Sequence, residues 1–344
     1  MSNVTTMRDT EQREMRRTVA GFLDKHSDVR AAIHSESGFD PALWRRVTGE
    51  LGLTALLVPE RCGGMGLDFT DASVVLEEFG RRLVPGPLLT TLVAAAVLET
   101  CRTPEADRLL TRIAADGTSV SIATHPVAAD RDHLTGVLDH VIHGVDTDVL
   151  LVVTEDRRLY AVDAPTGHRR TALDHTRTLA TVVLDRTPGT LLGAGQPVVD
   201  LLTDLVLTAL AAESAAAATT CLDLTVEYLK IRTQFGKPLG TFQALKHRCA
   251  DLAVAVAGAT STAWYAVRAA AAGSAELNVV APLAKAVCAD ALMAVAAESV
   301  QLHGGIGFTF EHDAHLYLKR GKANQLLFGS GAELRARVAA LAGL

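Results

Sequence analysis

Three patterns of apolar and polar positions follow one another along the chain. In residues 7–34, Met7, Met15, Val19, Phe22 and Leu23 recur at helical spacing, which predicts an amphipathic helix. Asp40-Pro41 then reads as an N-cap followed by a first helical residue, opening a second helix. Residues 50–67 are a glycine-rich bend, Asp71–Arg82 is helical, and Pro85-Gly86-Pro87 separates it from an apolar helix at 88–100. From about 118 to 195 short β-rich runs take over: Ser119–Thr124, Val137–Ile142, Val149–Thr154, Leu159–Val162 and Thr181–Leu184. Asp, Gly and Pro turns divide them, as in a small antiparallel sheet. Long helical patterns return at 197–231, 242–272, 276–302 and from about 331. The expectation is a mainly α chain with a small β domain: helical 1–117, β 118–195 and helical 196–344.

Composition sharpens this picture. Hydrophobic residues make up 49% of the 344 positions but aromatics only 4%, and alanine dominates the remainder. Alanine is the best helix former and lets backbones approach closely, so tightly packed helices are favoured over further strands. The net charge is −6 and no basic run of five or more occurs, which argues against a nucleic-acid partner. The five cysteines are scattered without a CxxC pair, so reduced thiols are expected and no metal site. The first residues, MSNVTTMRDTEQREMRR, lack the apolar core of a signal peptide. Lys285, Asp290 and Glu298 interrupt the apolar run 276–302, so no membrane span is expected and the location is expected to be cytoplasmic.

Groups able to grip a flat anionic ligand concentrate in Glu227–Leu252, EYLKIRTQFGKPLGTFQALKHRCADL. Tyr228, Lys230 and Arg232 crowd the end of a long apolar helix, where cations oppose the helix dipole. Gln234-Phe235-Gly236-Lys237-Pro238-Leu239-Gly240 cannot continue that helix, and Thr241 stands where the next N-cap is expected. A second segment, Gln301-Leu302-His303-Gly304-Gly305-Ile306-Gly307, follows directly on a helix, its paired glycines open to close backbone approach. Taken alone, the first reads as an ordinary helical hairpin and the second as a helix C-cap with a tight turn.

The wording of both segments changes that. R-x-Q-F-G-K-P-L-G-x-F-Q-A-L-K-H-R-x-A-D and Q-x-x-G-G-x-G resemble the hallmark segments of the acyl-CoA dehydrogenase family, and GGMGLDFTDASVVLEEFGRRLVPGPLL resembles its N-terminal helical domain. The resemblance runs from Glu60 to Ser330. It implies an N-terminal helical domain, a middle antiparallel β domain, a C-terminal four-helix bundle, and FAD held between subunits. It further implies that Arg232 and Phe235 meet the diphosphate and adenosine half of FAD, with Gln243, Gln301, Gly304, Gly305 and Ser330 as further cofactor-binding positions. The family desaturates acyl-CoA thioesters at the α,β bond; a carboxylate removes the α-proton while hydride leaves for the flavin.

The match fails where that carboxylate belongs. Members usually carry a glutamate just before a Gly-Thr pair; this chain reads Leu327-Phe328-Gly329-Ser330, with Phe328 in its place. The alternative family position, on the helix before the hallmark corner, falls at about Val206, with Asp204 on another face. Glu213 is the substitute to weigh, because its helical neighbours Ala209, Leu210, Ala216 and Ala217 are apolar and burial makes a carboxylate more basic. The competing reading has Glu213 filling a groove or meeting a partner subunit; His303 and His312 are weaker candidates. In the middle domain, Thr124–Asp130 only echoes the family's flavin motif, and Val141-Ile142-His143 stands where W-I-T walls the flavin ring.

This combination resembles the short subunit of heteromeric α2β2 actinobacterial-type acyl-CoA dehydrogenases. Three functions are compatible with it. The chain completes the FAD site of a second subunit that carries the base; or it is a self-sufficient homo-oligomer using Glu213; or it is a flavin-free structural subunit. The expected substrate is an acyl-CoA thioester, and the acyl group and electron acceptor are not legible.

Overall fold

The computed structural model describes residues 2–343. The chain forms two compact units: residues up to Leu76 with Val84–Ala209, and Glu77–Leu83 with the chain from Leu210 onward.

In the first unit, α1 (Ser2–His26) buries Val19 and Leu23, while Met7 lies outside the residues whose side chains are described. The helix expected over 7–34 is broken at Ser27-Asp28. Asp28 accepts a hydrogen bond from the Ala31 amide and caps a separate short helix, α2 (Val29–Ala32). Asp40 caps α3 (Pro41–Gly49) by accepting from the Ala42 amide at 2.8 Å, with Pro41 as first helical residue. Two 3-10 turns, Leu53–Ala55 and Glu60–Cys62, carry the glycine-rich bend to α4 (Phe69–Arg81) and α5 (Leu88–Cys101). A further helix, α6 (Pro104–Asp116), follows; Thr103 caps it from its side chain.

Seven strands come next: β1 (Val120–Asp130), β2 (His133–Ile142), β3 (Val149–Thr154), β4 (Arg158–Asp163), β5 (Gly167–Arg170), β6 (Leu179–Pro188) and β7 (Thr190–Ala194). Their order in the sheet is β5-β6-β2-β1-β3-β4-β7. The sheet is mixed rather than antiparallel, because β1 and β3 run parallel. Topology supplies the reason. The end of β1 (Ala128–Asp130) pairs with the start of β2, which returns along one side of β1, so β3 is laid on the other side in the original direction. Alternating burial in β2 sends Leu134 and Leu138 inward, where they pack with Leu150, Val152, Tyr160 and Val182.

The second unit is helical: the later part of α7 (Gln196–Ile231), then α8 (Gln243–Ala271), α9 (Leu277–His303), α10 (Ala314–Leu326) and α11 (Gly331–Leu341). Its core joins Ala211 and Ala215 of α7, Ala259, Ala263 and Ala266 of α8, and Ala284 and Cys288 of α9. Small side chains at that seam let the helices approach closely. α9 is the hub, packed on α8, α10 and α11. By length and composition Gln196–Ile231 and Leu277–Phe308 could each cross a membrane, despite the charges within the second. Burial of 89% and 61% of their most apolar windows inside the protein is what marks them as core helices instead.

Candidate functional site

The hallmark corner is built in the second unit. α7 ends at Ile231, and the chain folds into a minimal hairpin in which β8 (Thr233–Gln234) pairs with β9 (Lys237–Pro238). Its two turn residues, Phe235 and Gly236, both take positive φ, 53° and 76°. A two-residue turn of that hand matches the twist of the paired strands and ordinarily calls for Asn or Gly at its first position. Here phenylalanine holds it while 88% exposed, its ring edge-on to Phe242 at a separation of 6.1 Å. Lys237 Nζ lies 4.4 Å over the Phe242 ring. Thr241 does not cap α8: a 3-10 turn, Leu239–Thr241, intervenes, the Thr241 hydroxyl donates to the Pro238 carbonyl, and extended Phe242 precedes the helix without a side-chain cap.

Tyr228 ties this corner to the second segment. Its hydroxyl donates to the His303 carbonyl at 3.3 Å and its ring stacks on His303 at 4.4 Å. His312 packs against His303 as well, the two rings tilted at a separation of 4.2 Å. His303 is buried, its Nδ1 is 2.8 Å from the Ser299 carbonyl, and burial holds its pKa below the usual imidazole value. These contacts set the end of α9, with Gln301, Gly304 and Gly305, beside the end of α7, with Arg232. Arg232, Phe235, Gln243, Gln301, Gly304 and Gly305 are all exposed. A Cβ at Gly236, Gly304 or Gly305 would meet nothing within 4 Å, so their backbone is open to a ligand. An exposed guanidinium, an exposed ring and accessible backbone amides on one corner fit the diphosphate and adenosine portion of FAD.

Ser330 lies elsewhere. It caps α11 in a reciprocal pair with Glu333, and the adjoining Gly329 carbonyl accepts from Lys285. Lys285 and Gln301 are about 24 Å apart along α9, at ~1.5 Å per residue. Ser330 therefore does not share the Arg232 corner within this chain.

The candidate base is fully engaged. Glu213 is 4% exposed, and its carboxylate accepts from Arg320 of α10, itself buried. The next residue along, Ser214, accepts from Asn324 at 2.9 Å, one helical turn beyond Arg320. Gly80 makes room for the acid, since a Cβ there would stand 2.8 Å from Glu213 Cγ. Val206 and Asp204 are buried in α7, and Phe328 is partly exposed in a left-handed conformation, φ 55°.

In the first unit, the residues standing for W-I-T are turned to internal use. Val141, Ile142 and His143 are at most 4% exposed. His143 Nδ1 and the Thr178 hydroxyl share a 2.7 Å hydrogen bond, and Phe39 meets the imidazole edge-on at 5.7 Å. No exposed indole or hydroxyl is offered by these three positions, so they do not fit a flavin ring.

Sequence reasoning passed over Lys285 as a site residue, although it is the lone cation in an alanine-rich run; only its burial reveals it. Arg320 was likewise not legible, because the ion pair with Glu213 joins positions 107 apart in the sequence.

Comparison with known proteins agrees with this architecture. Residues 9–116 match the acyl-CoA dehydrogenase N-terminal domain and residues 207–342 the acyl-CoA dehydrogenase C-terminal domain. Acyl-CoA dehydrogenase IpdE2 of Mycolicibacterium smegmatis is 40% identical over 337 residues, covering 96% of this chain and 99% of its own. Acyl-CoA dehydrogenase FadE34 of Mycobacterium tuberculosis is 36% identical over 98% of this chain, which spans 48% of the longer protein. The solved Tcur3481-Tcur3483 steroid ACAD, a G363A variant, superposes with a TM-score of 0.90 at 29% identity, over 97% of this chain and 98% of that one. The chain belongs to the acyl-CoA dehydrogenase family, whose members are oxidoreductases that act on acyl-CoA and bind FAD.

Proposed function

We propose that this chain is one subunit of a two-component, cytoplasmic acyl-CoA dehydrogenase of α2β2 type, and that it completes the FAD site of a partner subunit carrying the base. The observation that carries the proposal is the Arg320–Glu213 pair. Glu213 is the remaining candidate acid for α-proton removal, and its carboxylate is held by a buried guanidinium, so it is not free to reach a substrate proton. Phe328 and Val206, at the family's base positions, have no atom that accepts a proton.

When bound, FAD supplies the acceptor for the hydride leaving the substrate β-carbon. In this reading Arg232 neutralises the diphosphate, Phe235 lies against the adenosine, and the Gly304-Gly305 backbone and Gln301 line the groove. Gln243, exposed as the first residue of α8, belongs to the same surface. Ser330 serves a separate stretch of the assembly. Two comparisons support a two-component assembly: FadE34 is about twice the length of this chain, and the steroid ACAD at 29% identity carries a paired designation. The substrate is read as an acyl-CoA thioester, and the sequence divisions 1–117, 118–195 and 196–344 are kept as its domain scheme.

The test is turnover of the purified two-subunit enzyme with Glu213→Gln in this chain. Activity within a few-fold of the parent supports the proposal. Loss of the chemical step with the complex intact and flavin bound assigns the base to this chain instead.

A further inference from the structure

We infer that Lys285 is a positioning residue: its buried ammonium holds the Leu327–Ser330 bend, and so fixes where the Phe328 ring lies. Lys285 is 1% exposed in the middle of α9, and its Nζ donates to the Gly329 carbonyl and, at 3.4 Å, to the Gln325 carbonyl. Gln325 stands in the last turn of α10, where carbonyls have no partner within the helix. The bend is otherwise poorly determined by its own backbone, since Phe328 and Gly329 both take positive φ, 55° and 105°. A phenylalanine in that region persists only where its surroundings impose it.

The neighbouring contacts frame the same bend. Gln325 Nε2 donates to Asp290 at 2.9 Å, Arg335 meets Asp290 at 2.9 Å, and Glu333 engages both the amide and the hydroxyl of Ser330. The charged groups acting on Lys285 are therefore Asp290 of its own helix and Glu333 of α11, with Arg335 already engaged on Asp290. Among the described residues no charge from α8 acts on it, and α10 offers it carbonyls. Its direct partners are neutral, so burial dominates and draws its pKa down to about 8. A lysine that merely filled space would be better replaced by methionine; this one donates to two carbonyls.

That the bend coincides with the family's base position gives the inference its functional interest and rests on the reading above. The geometry does not. The test is amide hydrogen exchange of residues 325–330 in the purified chain, corrected for intrinsic rate, from neutral to alkaline pH, in parent, Lys285→Arg and Lys285→Met. The parent is expected to lose protection in this segment by about tenfold as pH rises through about 8, because the hydrogen bonds to the two carbonyls lose their charge assistance. Lys285→Arg, charged throughout, keeps its protection, and Lys285→Met, with no donor, is at every pH protected no better than the parent at alkaline pH, while α8 amides stay unchanged. Should Lys285→Met fail to fold, the parent and Lys285→Arg still decide. Equal protection in parent and Lys285→Met at neutral pH, or a transition that survives in Lys285→Arg, overturns the inference. A partner subunit is not needed, so failure here is distinct from failure of the proposed function.

Discussion

Arg320 and Glu213 form an ion pair between α10 and α7 with side chains only 2% and 6% exposed. Such a pair is expensive to break from one side, because the survivor is left charged without a partner. Arg320→Met is therefore expected to destabilise the second unit by about 3–5 kcal/mol. Replacing both, as Arg320→Met with Glu213→Leu, is expected to recover most of that loss. Denaturant melts of the three variants measure it; additive losses would show that the two side chains do not act as a pair.

Phe235 occupies a turn position that prefers glycine, with a ring almost wholly in solvent. Phe235→Gly relieves a left-handed non-glycine residue at little loss of buried surface. Stability is expected to rise by up to about 1 kcal/mol, while FAD retention by the two-subunit complex falls. Thermal melts and flavin content read the two effects separately. A variant that gains stability and keeps its flavin would remove Phe235 from the binding corner.

Lys285 also predicts the sign of a global pH effect. Its folded pKa, about 8, lies below the 10.5 of the free side chain, so the folded protein releases this proton first. Between those values the unfolded chain binds more protons, and the contribution of Lys285 to stability rises with pH. The cost of burying its charge is fully present below pH about 8 and is relieved towards 10.5. The parent-minus-Lys285→Met difference in unfolding free energy should shift in favour of the parent across that window, even as the local bend loosens.

How far the sequence carried this fold depends on how local each determinant was. The Asp40-Pro41 start of α3 and the long helices α7, α8 and α9 were legible, because caps and periodicity act over a few residues. α10 was not, since its sequence, AHLYLKRGKANQL, carries few apolar positions and buries Arg320 and Asn324 by partnership rather than by pattern. The parallel β1–β3 pair was hidden for a similar reason: pairing is decided by which strand takes which side, not by the strands' own composition. At the candidate site, the residue types of the Arg232 corner were readable from their order, and the structure adds the Tyr228–His303 stack that brings its two segments together. The fate of Glu213 was not readable. Apolar neighbours at helical spacing correctly indicated burial, but they say nothing about a guanidinium arriving from another helix.

On the function proposed above, this chain contributes to a flavin site that it does not possess alone. Flavin absorbance per polypeptide, measured after purification of the chain alone and after co-expression with the base-carrying subunit, tests it most directly. A colourless chain alone and a yellow complex that loses its flavin on Arg232→Ala are expected. A lone chain that purifies yellow and desaturates an acyl-CoA unaided would contradict it.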